Sequence, residues 1–142
     1  MGKKRLTAYK EVALDTNIFI YYFHNHPEFG PKTREIFLAL MAGDLRATTS
    51  IITLIELLSK KAPGLRIKEL HEELLTTPNL TIFPVESKVA LEAAKIRRKY
   101  GFRVPDSIQL ATAIFAKSNA FITNDERLRG FKRLPIILLK SI

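Results

Sequence analysis

The sequence predicts an α/β protein, with a parallel sheet of about five strands covered by helices on both faces. Three observations lead there. Short apolar runs alternate along the chain with longer helical patterns, as repeated βαβ units require. The first of these runs, Val12-Ala13-Leu14, is wholly apolar, as a strand buried on both faces should be. The helical stretches are bounded by Pro31, Gly43, Ser50, Gly101 and Pro105, residues that favour helix ends. Right-handed crossovers are then nearly obligatory.

The elements follow in order. Val12 to Leu14 is the first strand, and Asp15-Thr16-Asn17 ends it with residues that favour caps and turns. Ile18 to Phe23 is a short helix, and His24 to Pro27 a loop. Pro31 opens the next helix and Gly43 closes it. Arg46 to Thr48 is a short strand. Ser50 caps a helix through Ile51, Ile52, Leu54, Ile55, Leu57 and Leu58. Pro63-Gly64 breaks the chain. Leu65 to Leu75 is amphipathic, with Leu65, Leu70, Leu74 and Leu75 on one side. Leu80 to Val85 is a strand, and Glu86-Ser87 starts a helix along Val89, Ala93 and Ile96 that Gly101 ends. Pro105-Asp106-Ser107 starts another, through Ile108 to Ala116. Ala120 to Thr123 is a strand, Asp125 to Arg129 a helical turn, and Leu134 to Leu139 the last strand.

Composition narrows the function. The 142 residues are 46% hydrophobic and 26% charged, which suits one folded domain over residues 1–142 and argues against disorder. The first ten residues are mostly polar and are expected as a mobile basic tail. There is no cysteine, so disulfides, thiolate catalysis and Cys-ligated zinc are excluded. No apolar run approaches the length of a membrane span. Met1 to Arg5 is basic but leads into no secretory h-region, and Leu6 stands where a myristoylation signal needs Ser or Thr. A cytoplasmic location without a membrane partner is expected. Lys plus Arg is 23 against 14 Asp plus Glu, a net charge of +9. A small domain this basic points to a polyanionic partner, nucleic acid first, although solubility alone also accounts for a basic surface.

In an open α/β sheet, ligands bind beyond the carboxyl ends of the strands at the switch point. Asp15 follows the first strand, and Asn124-Asp125 follow the strand Ala120 to Thr123. Asp106 starts the helix leading into that strand, and Glu56 lies inside the helix after the second. Asp15 and Asp125 could each simply cap a helical turn, and Asp106 suits a helix N-terminus. Glu56 is harder to explain so, because its flanking residues are apolar on nearly all sides. A buried carboxylate needs a cation, a hydrogen-bond partner or a proton. Grouped carboxylates repel one another, and a hard divalent cation with oxygen ligands, Mg²⁺ or Mn²⁺, resolves the conflict. Such a site suits phosphoryl transfer. With these four acids set aside, the remaining surface is more basic still, as a phosphodiester backbone requires.

Four segments together resemble the PIN-domain family. Leu14-Asp15-Thr16-Asn17-Ile18 resembles its first motif, and Ser50 to Leu58 with Glu56 its second. Pro105-Asp106-Ser107-Ile108-Gln109-Leu110-Ala111 resembles the third, and Phe121-Ile122-Thr123-Asn124-Asp125 the fourth. The match spans residues 12 to 139, and the short chain resembles the VapC-type toxins of type II toxin–antitoxin pairs. The resemblance implies a three-layer fold with strand order 3-2-1-4-5. It implies a Mg²⁺- or Mn²⁺-dependent endoribonuclease, a homodimer, and a cognate antitoxin whose tail covers the acidic groove. Asp15 and Asp106 would be the main metal ligands, and Glu56 and Asp125 would complete the cluster. Thr16, Asn17, Thr123 and Asn124 would orient ligands or the attacking water. Ser107 stands where a smaller residue is often found after the third acid. An RNA-processing or DNA-acting nuclease without an antitoxin, or a non-catalytic PIN-like binding module, are the alternative readings. Lost acids would mark the last, and none is lost.

Other features weigh less. His24 and His26 in one turn lack a third ligand and read as a solvated loop. There is no glycine-rich phosphate loop, and Ser50, Ser107 and His71 show no triad-like context. Arg97, Arg98 and Lys99 with Tyr100, and Arg127, Arg129, Lys132 and Arg133, are basic clusters near the later motifs. They are candidates for RNA phosphate contacts, although a basic helix end also suits the helix dipole. Tyr21, Tyr22 and Phe23 could stack bases, but core or dimer packing is the favoured reading.

Overall fold

The computed structural model describes residues 6–61 and 64–142. Its sheet has five strands, all parallel, in the order β3-β2-β1-β4-β5. The strands are β1 (Glu11–Leu14), β2 (Arg46–Ser50), β3 (Leu80–Phe83), β4 (Ala120–Thr123) and β5 (Ile136–Leu138). Among the described residues the helices are α1 (Thr16–Phe23), α2 (Gly30–Ala42), α3 (Ile52–Leu58), α4 (Gly64–Leu75), α5 (Ser87–Tyr100) and α6 (Val104–Phe115). Short 3₁₀ turns cover Glu126–Gly130 and Leu139–Ser141. Fold class and strand order agree with the expectation from sequence.

The two-residue period of β-strands divides the core. Val12, Leu14, Ala120 and Ile122 point to one face and pack with residues of α1 to α4. Ala13 and Phe121 point to the other and pack with Val89, Ala93, Ile96 and Leu110 of α5 and α6. The chain steps outward from β1 through β2 to β3, then crosses back to β4 and β5. Reversing direction with crossovers of one hand moves the helices to the opposite face. The reversal leaves a crevice at the carboxyl ends of β1 and β4, where side chains from distant parts of the sequence meet.

Helix ends follow local chemistry. Asp15 caps α1, accepting from Thr16 N–H at 2.8 Å. Gly43 and Gly101 close α2 and α5 with φ of 78° and 73°, the left-handed region that favours glycine. Several expectations need correction. Ser50 is the last residue of β2 rather than the cap residue of α3, although its Oγ accepts from Ile52 N–H at 3.2 Å. The strand expected over Leu80 to Val85 ends at Phe83, before Pro84, and the last strand is only Ile136–Leu138. Leu70 and Leu74 of α4 are buried, but Leu75 is exposed, since it falls off their stripe. Pro63 and the Leu65 side chain lie outside the described residues. Residues 1–5 of the expected basic tail also lie outside them, whereas residues 6–10 are no tail. Leu6 is fully buried and Tyr9 packs against the larger core. No helix among the described residues is long and apolar enough to cross a membrane.

Candidate functional site

The candidate acids and their polar neighbours gather around the carboxyl ends of β1 and β4. Asp15 leaves β1 and is buried. Its Oδ1 accepts from Thr16 N–H and its Oδ2 from the Thr123 hydroxyl at 2.7 Å. Burial pushes the Asp15 carboxyl up to about 7, the nearby Asp106 and Glu56 carboxylates add to the rise, and the hydrogen bond from Thr123 opposes it. Asp15 is therefore close enough to Asp106 and Glu56 to feel their charge.

Glu56 departs from its expected setting. It is half-buried, and its neighbour Ile55 is 61% exposed, so α3 is not apolar on all sides in the fold. Its Oε1 accepts from the Thr16 hydroxyl at 2.7 Å, the hydrogen-bond partner that a partly buried carboxylate requires.

Asp106 lies in the first turn of α6 and is buried, with Oδ2 3.1 Å from Arg103 Nε. Asp125 caps the 3₁₀ turn after β4. Its Oδ1 accepts from Arg127 N–H and Nε, both at 3.0 Å, and its Oδ2 lies 2.6 Å from Arg127 Nη2. Arg127 is the main cause holding the Asp125 carboxyl below its usual range.

The arginines on Asp106 and Asp125 occupy the cation role on that side. Among the described residues, no three acids or histidines come together closely enough to hold a metal as the side chains stand. The chemistry of the donors nevertheless fits a hard cation. They are carboxylate oxygens, and the most deeply buried of them, on Asp15, forms no ion pair among the described residues.

Of the four supporting residues, Thr16 and Thr123 bond the acids directly, and Asn17 and Asn124 connect to them through Thr123. Thr123 donates to Asp15 and accepts from Asp125 N–H at 3.0 Å and from Asn17 Nδ2 at 3.4 Å. Asn17 Oδ1 accepts from Asn124 N–H, and Asn124 Nδ2 donates to the Tyr21 hydroxyl. Gln109, not singled out in the sequence, lies beneath them and is 2% exposed. Its Nε2 donates to Thr16 at 3.1 Å and Thr53 at 2.9 Å, and its Oε1 accepts from Ser50 N–H at 3.2 Å. Thr16 donates to Glu56, the Thr49 and Thr53 hydroxyls hydrogen-bond to each other at 2.6 Å, and the Thr49 hydroxyl also reaches the Leu14 carbonyl at 2.9 Å and Gln109 Oε1 at 3.4 Å. The sequence did hold a signal. Gln109 is a lone amide in an apolar run, three positions after Asp106 and so on the same helix face.

Of the basic candidates, Arg127 joins the acids and the α5 cluster is peripheral. Arg97, Arg98 and Lys99 are exposed in the last turn of α5. Arg97 donates to the Phe102 carbonyl, and the Lys99 ammonium lies over the Tyr100 ring. Arg103 and Arg127 are the cations that reach the acids. Tyr22 stacks on Phe37 at 3.8 Å and Phe23 is buried, in keeping with core packing. His24 is exposed, and His26 Nδ1 accepts from Glu28 and Phe29 N–H, so it closes a turn.

The PIN domain family model matches residues 12–135. A search of curated proteins found no match. Among solved structures, the fold is similar to a toxin–antitoxin complex from Klebsiella pneumoniae, with a TM-score of 0.68 and 21% identity over 90% of this chain and 97% of that one. It is also similar to the crystal structure of VapBC2 from Rickettsia felis bound to a DNA fragment from their promoter. There the TM-score is 0.70 and the identity 20%, over 90% of this chain and 98% of that one. With a family match across nearly all of its length, on a sheet whose central strands end in the acids just described, the chain belongs to the PIN domain family.

Proposed function

We propose that this protein is a metal-dependent endoribonuclease, the toxin of a type II toxin–antitoxin pair. The observation that carries the reading is the buried Asp15 carboxylate at the sheet's switch point. It lies within the field of Asp106 and Glu56, and no cation offsets it among the described residues.

Asp15 and Asp106 are the principal ligands in this reading, and Glu56 and Asp125 complete the set. Bound Mg²⁺ or Mn²⁺ would supply activation of water and neutralisation of charge on the scissile phosphate. The chain supplies the rest. The Thr123 and Thr16 hydroxyls fix the Asp15 and Glu56 carboxylates by hydrogen bonds. Gln109 holds the Thr16 hydroxyl with its proton on Glu56. Arg97, Arg98, Lys99 and Arg127 offer positive charge for the RNA backbone. Hydrolysis by water leaves a 5′-phosphate and a 3′-hydroxyl.

The likeness to a toxin–antitoxin complex and to VapBC2 supports a protein antitoxin as partner. A homodimer and a cytoplasmic location belong to the same reading. Co-purification with the product of a short adjacent reading frame, and size-exclusion chromatography, test the partners. The reaction is tested by incubating structured and single-stranded RNAs with Mg²⁺, with Mn²⁺ and with chelator. Metal-dependent cutting by wild type, lost in Asp106→Asn, is the expected result. Equal trace cutting by both proteins overturns it.

A further inference from the structure

Four carboxylates meet two arginines at the open end of the sheet, and the pairing is lopsided. Asp15 and Glu56 form no ion pair among the described residues, whereas Asp106 and Asp125 are both engaged. The two arginines also differ. Arg127 grips Asp125 through both carboxylate oxygens, the strong bidentate geometry. Arg103 instead spans two acids with one contact each, 3.1 Å to Asp106 and 3.9 Å to Asp125.

Its backbone is anchored at the start of α6. The Arg103 carbonyl accepts from both Ser107 N–H and Ser107 Oγ at 3.0 Å. Its side chain is 63% exposed while that of Asp106 is 10% exposed, so the guanidinium is the movable partner and the carboxylate the fixed one. Arg103 also lines a cleft of about 230 Å³ with Tyr100, Phe102, Arg127 and Asp106. That cleft joins two cations and two aromatic rings to the edge of the acidic group, which is the chemistry that takes a nucleotide phosphate and its base.

We propose that Arg103 is an internal counter-ion for Asp106 and Asp125 that yields to the divalent cation and then holds an RNA phosphate in the adjoining cleft. The inference rests on the nuclease reading above and adds a link between metal and RNA binding. While Arg103 lies on the carboxylates it competes with a metal for them, and it is only weakly held, as exposed pairs are. Once displaced, its planar fork suits phosphate oxygens.

Manganese binding, followed by the paramagnetic resonance of free Mn²⁺, compares wild type with Arg103→Gln and with the control Lys68→Gln, an exposed position on α4. Binding of a short fluorescein-labelled, phosphorothioate-linked single-stranded RNA is measured in Ca²⁺ and in chelator across a salt series. Circular dichroism verifies that each variant is folded. Arg103→Gln is expected to bind Mn²⁺ about fivefold more tightly, while Lys68→Gln matches wild type. Arg103→Gln is also expected to lose most of the gain in RNA affinity that Ca²⁺ gives wild type. In Ca²⁺ its salt slope falls by about 0.7, the contribution of one single-strand phosphate contact. Unchanged or weaker Mn²⁺ binding overturns the counter-ion role, and an unchanged metal-linked RNA gain overturns the phosphate role. If wild type takes up Mn²⁺ and binds RNA but Arg103→Gln behaves identically, only this inference fails. If wild type takes up no Mn²⁺, the nuclease reading fails with it.

Discussion

Replacing Asp15 with asparagine is expected to stabilise the metal-free protein at pH 8 while removing a proposed metal ligand. The magnitude follows from the environment. Burial, then the Asp106 and Glu56 charges, raise the carboxyl from 3.8 to about 7 in the folded chain. At about 1.4 kcal/mol per unit, keeping Asp15 ionised in the fold costs about 4 kcal/mol. The sign is set by linkage. Below 3.8 the group is protonated in both states and costs nothing. As pH rises from there to about 7 the unfolded chain ionises first, and stability is lost throughout that window. Asparagine has no such window. It keeps the acceptor for Thr16 N–H but presents an amide N–H to Thr123. That hydroxyl already accepts from Asp125 N–H and Asn17, so its own proton loses its acceptor, at about 1–3 kcal/mol. The net gain at pH 8 is about 1–3 kcal/mol. The hydrogen-bond loss is common to all pH values, so the difference between pH 5 and pH 8 isolates the charge, at about 3 kcal/mol. Urea unfolding of both proteins in chelator at the two pH values measures it. A variant whose advantage is the same at pH 5 and pH 8, or larger at pH 5, refutes the argument that the buried charge is uncompensated.

Two further changes probe the support beneath the acids. Gln109→Met keeps volume but removes the acceptor of Ser50 N–H and the donors to Thr16 and Thr53. It should cost about 2–4 kcal/mol in urea unfolding and weaken Mn²⁺ binding, since Glu56 loses the fixed Thr16 proton. Full Mn²⁺ affinity in the folded variant would reduce Gln109 to packing. Gly101→Ala meets no atom within 4 Å but must adopt a φ of 73°. A loss of about 1–2 kcal/mol without any change in helix content is expected by chemical denaturation and circular dichroism.

The fold was legible because its signals are local and redundant. Val12-Ala13-Leu14 is apolar without alternation because both faces of β1 are covered, and Gly43 and Gly101 mark helix ends because those backbones are left-handed. That Asp15 and Asp125 lie at one end of the sheet was legible for a different reason, since Asp15 directly follows β1 and Asp125 comes just after Asn124 at the end of β4. What escaped depends on packing that no window of sequence contains. Leu6 sits among polar residues and reads as tail, yet the larger core buries it completely. Glu56 was expected among apolar side chains on all sides, but α3 turns Ile55 outward and brings Glu56 to Thr16, 40 positions away. The Arg103 pairing with Asp106 was in reach, being three residues apart at a helix start, whereas its approach to Asp125 depends on where β4 is seated.

That last dependence bears on how the protein comes into being. The bond from Thr123 to Asp15 closes a span of 108 residues, and β4 pairs with β1 alone on its inner side. A chain growing from its N-terminus can form β1, β2 and β3 with their helices while the β4 segment is still in the ribosome's exit tunnel. Until β4 emerges, Asp15 has neither its hydroxyl donor nor its neighbours Asn124 and Asp125. The crevice therefore assembles only once β4 has emerged and paired with β1, by the long-range parallel pairing that is slowest to form. Whatever this site does to its substrate, it does only after that pairing has closed.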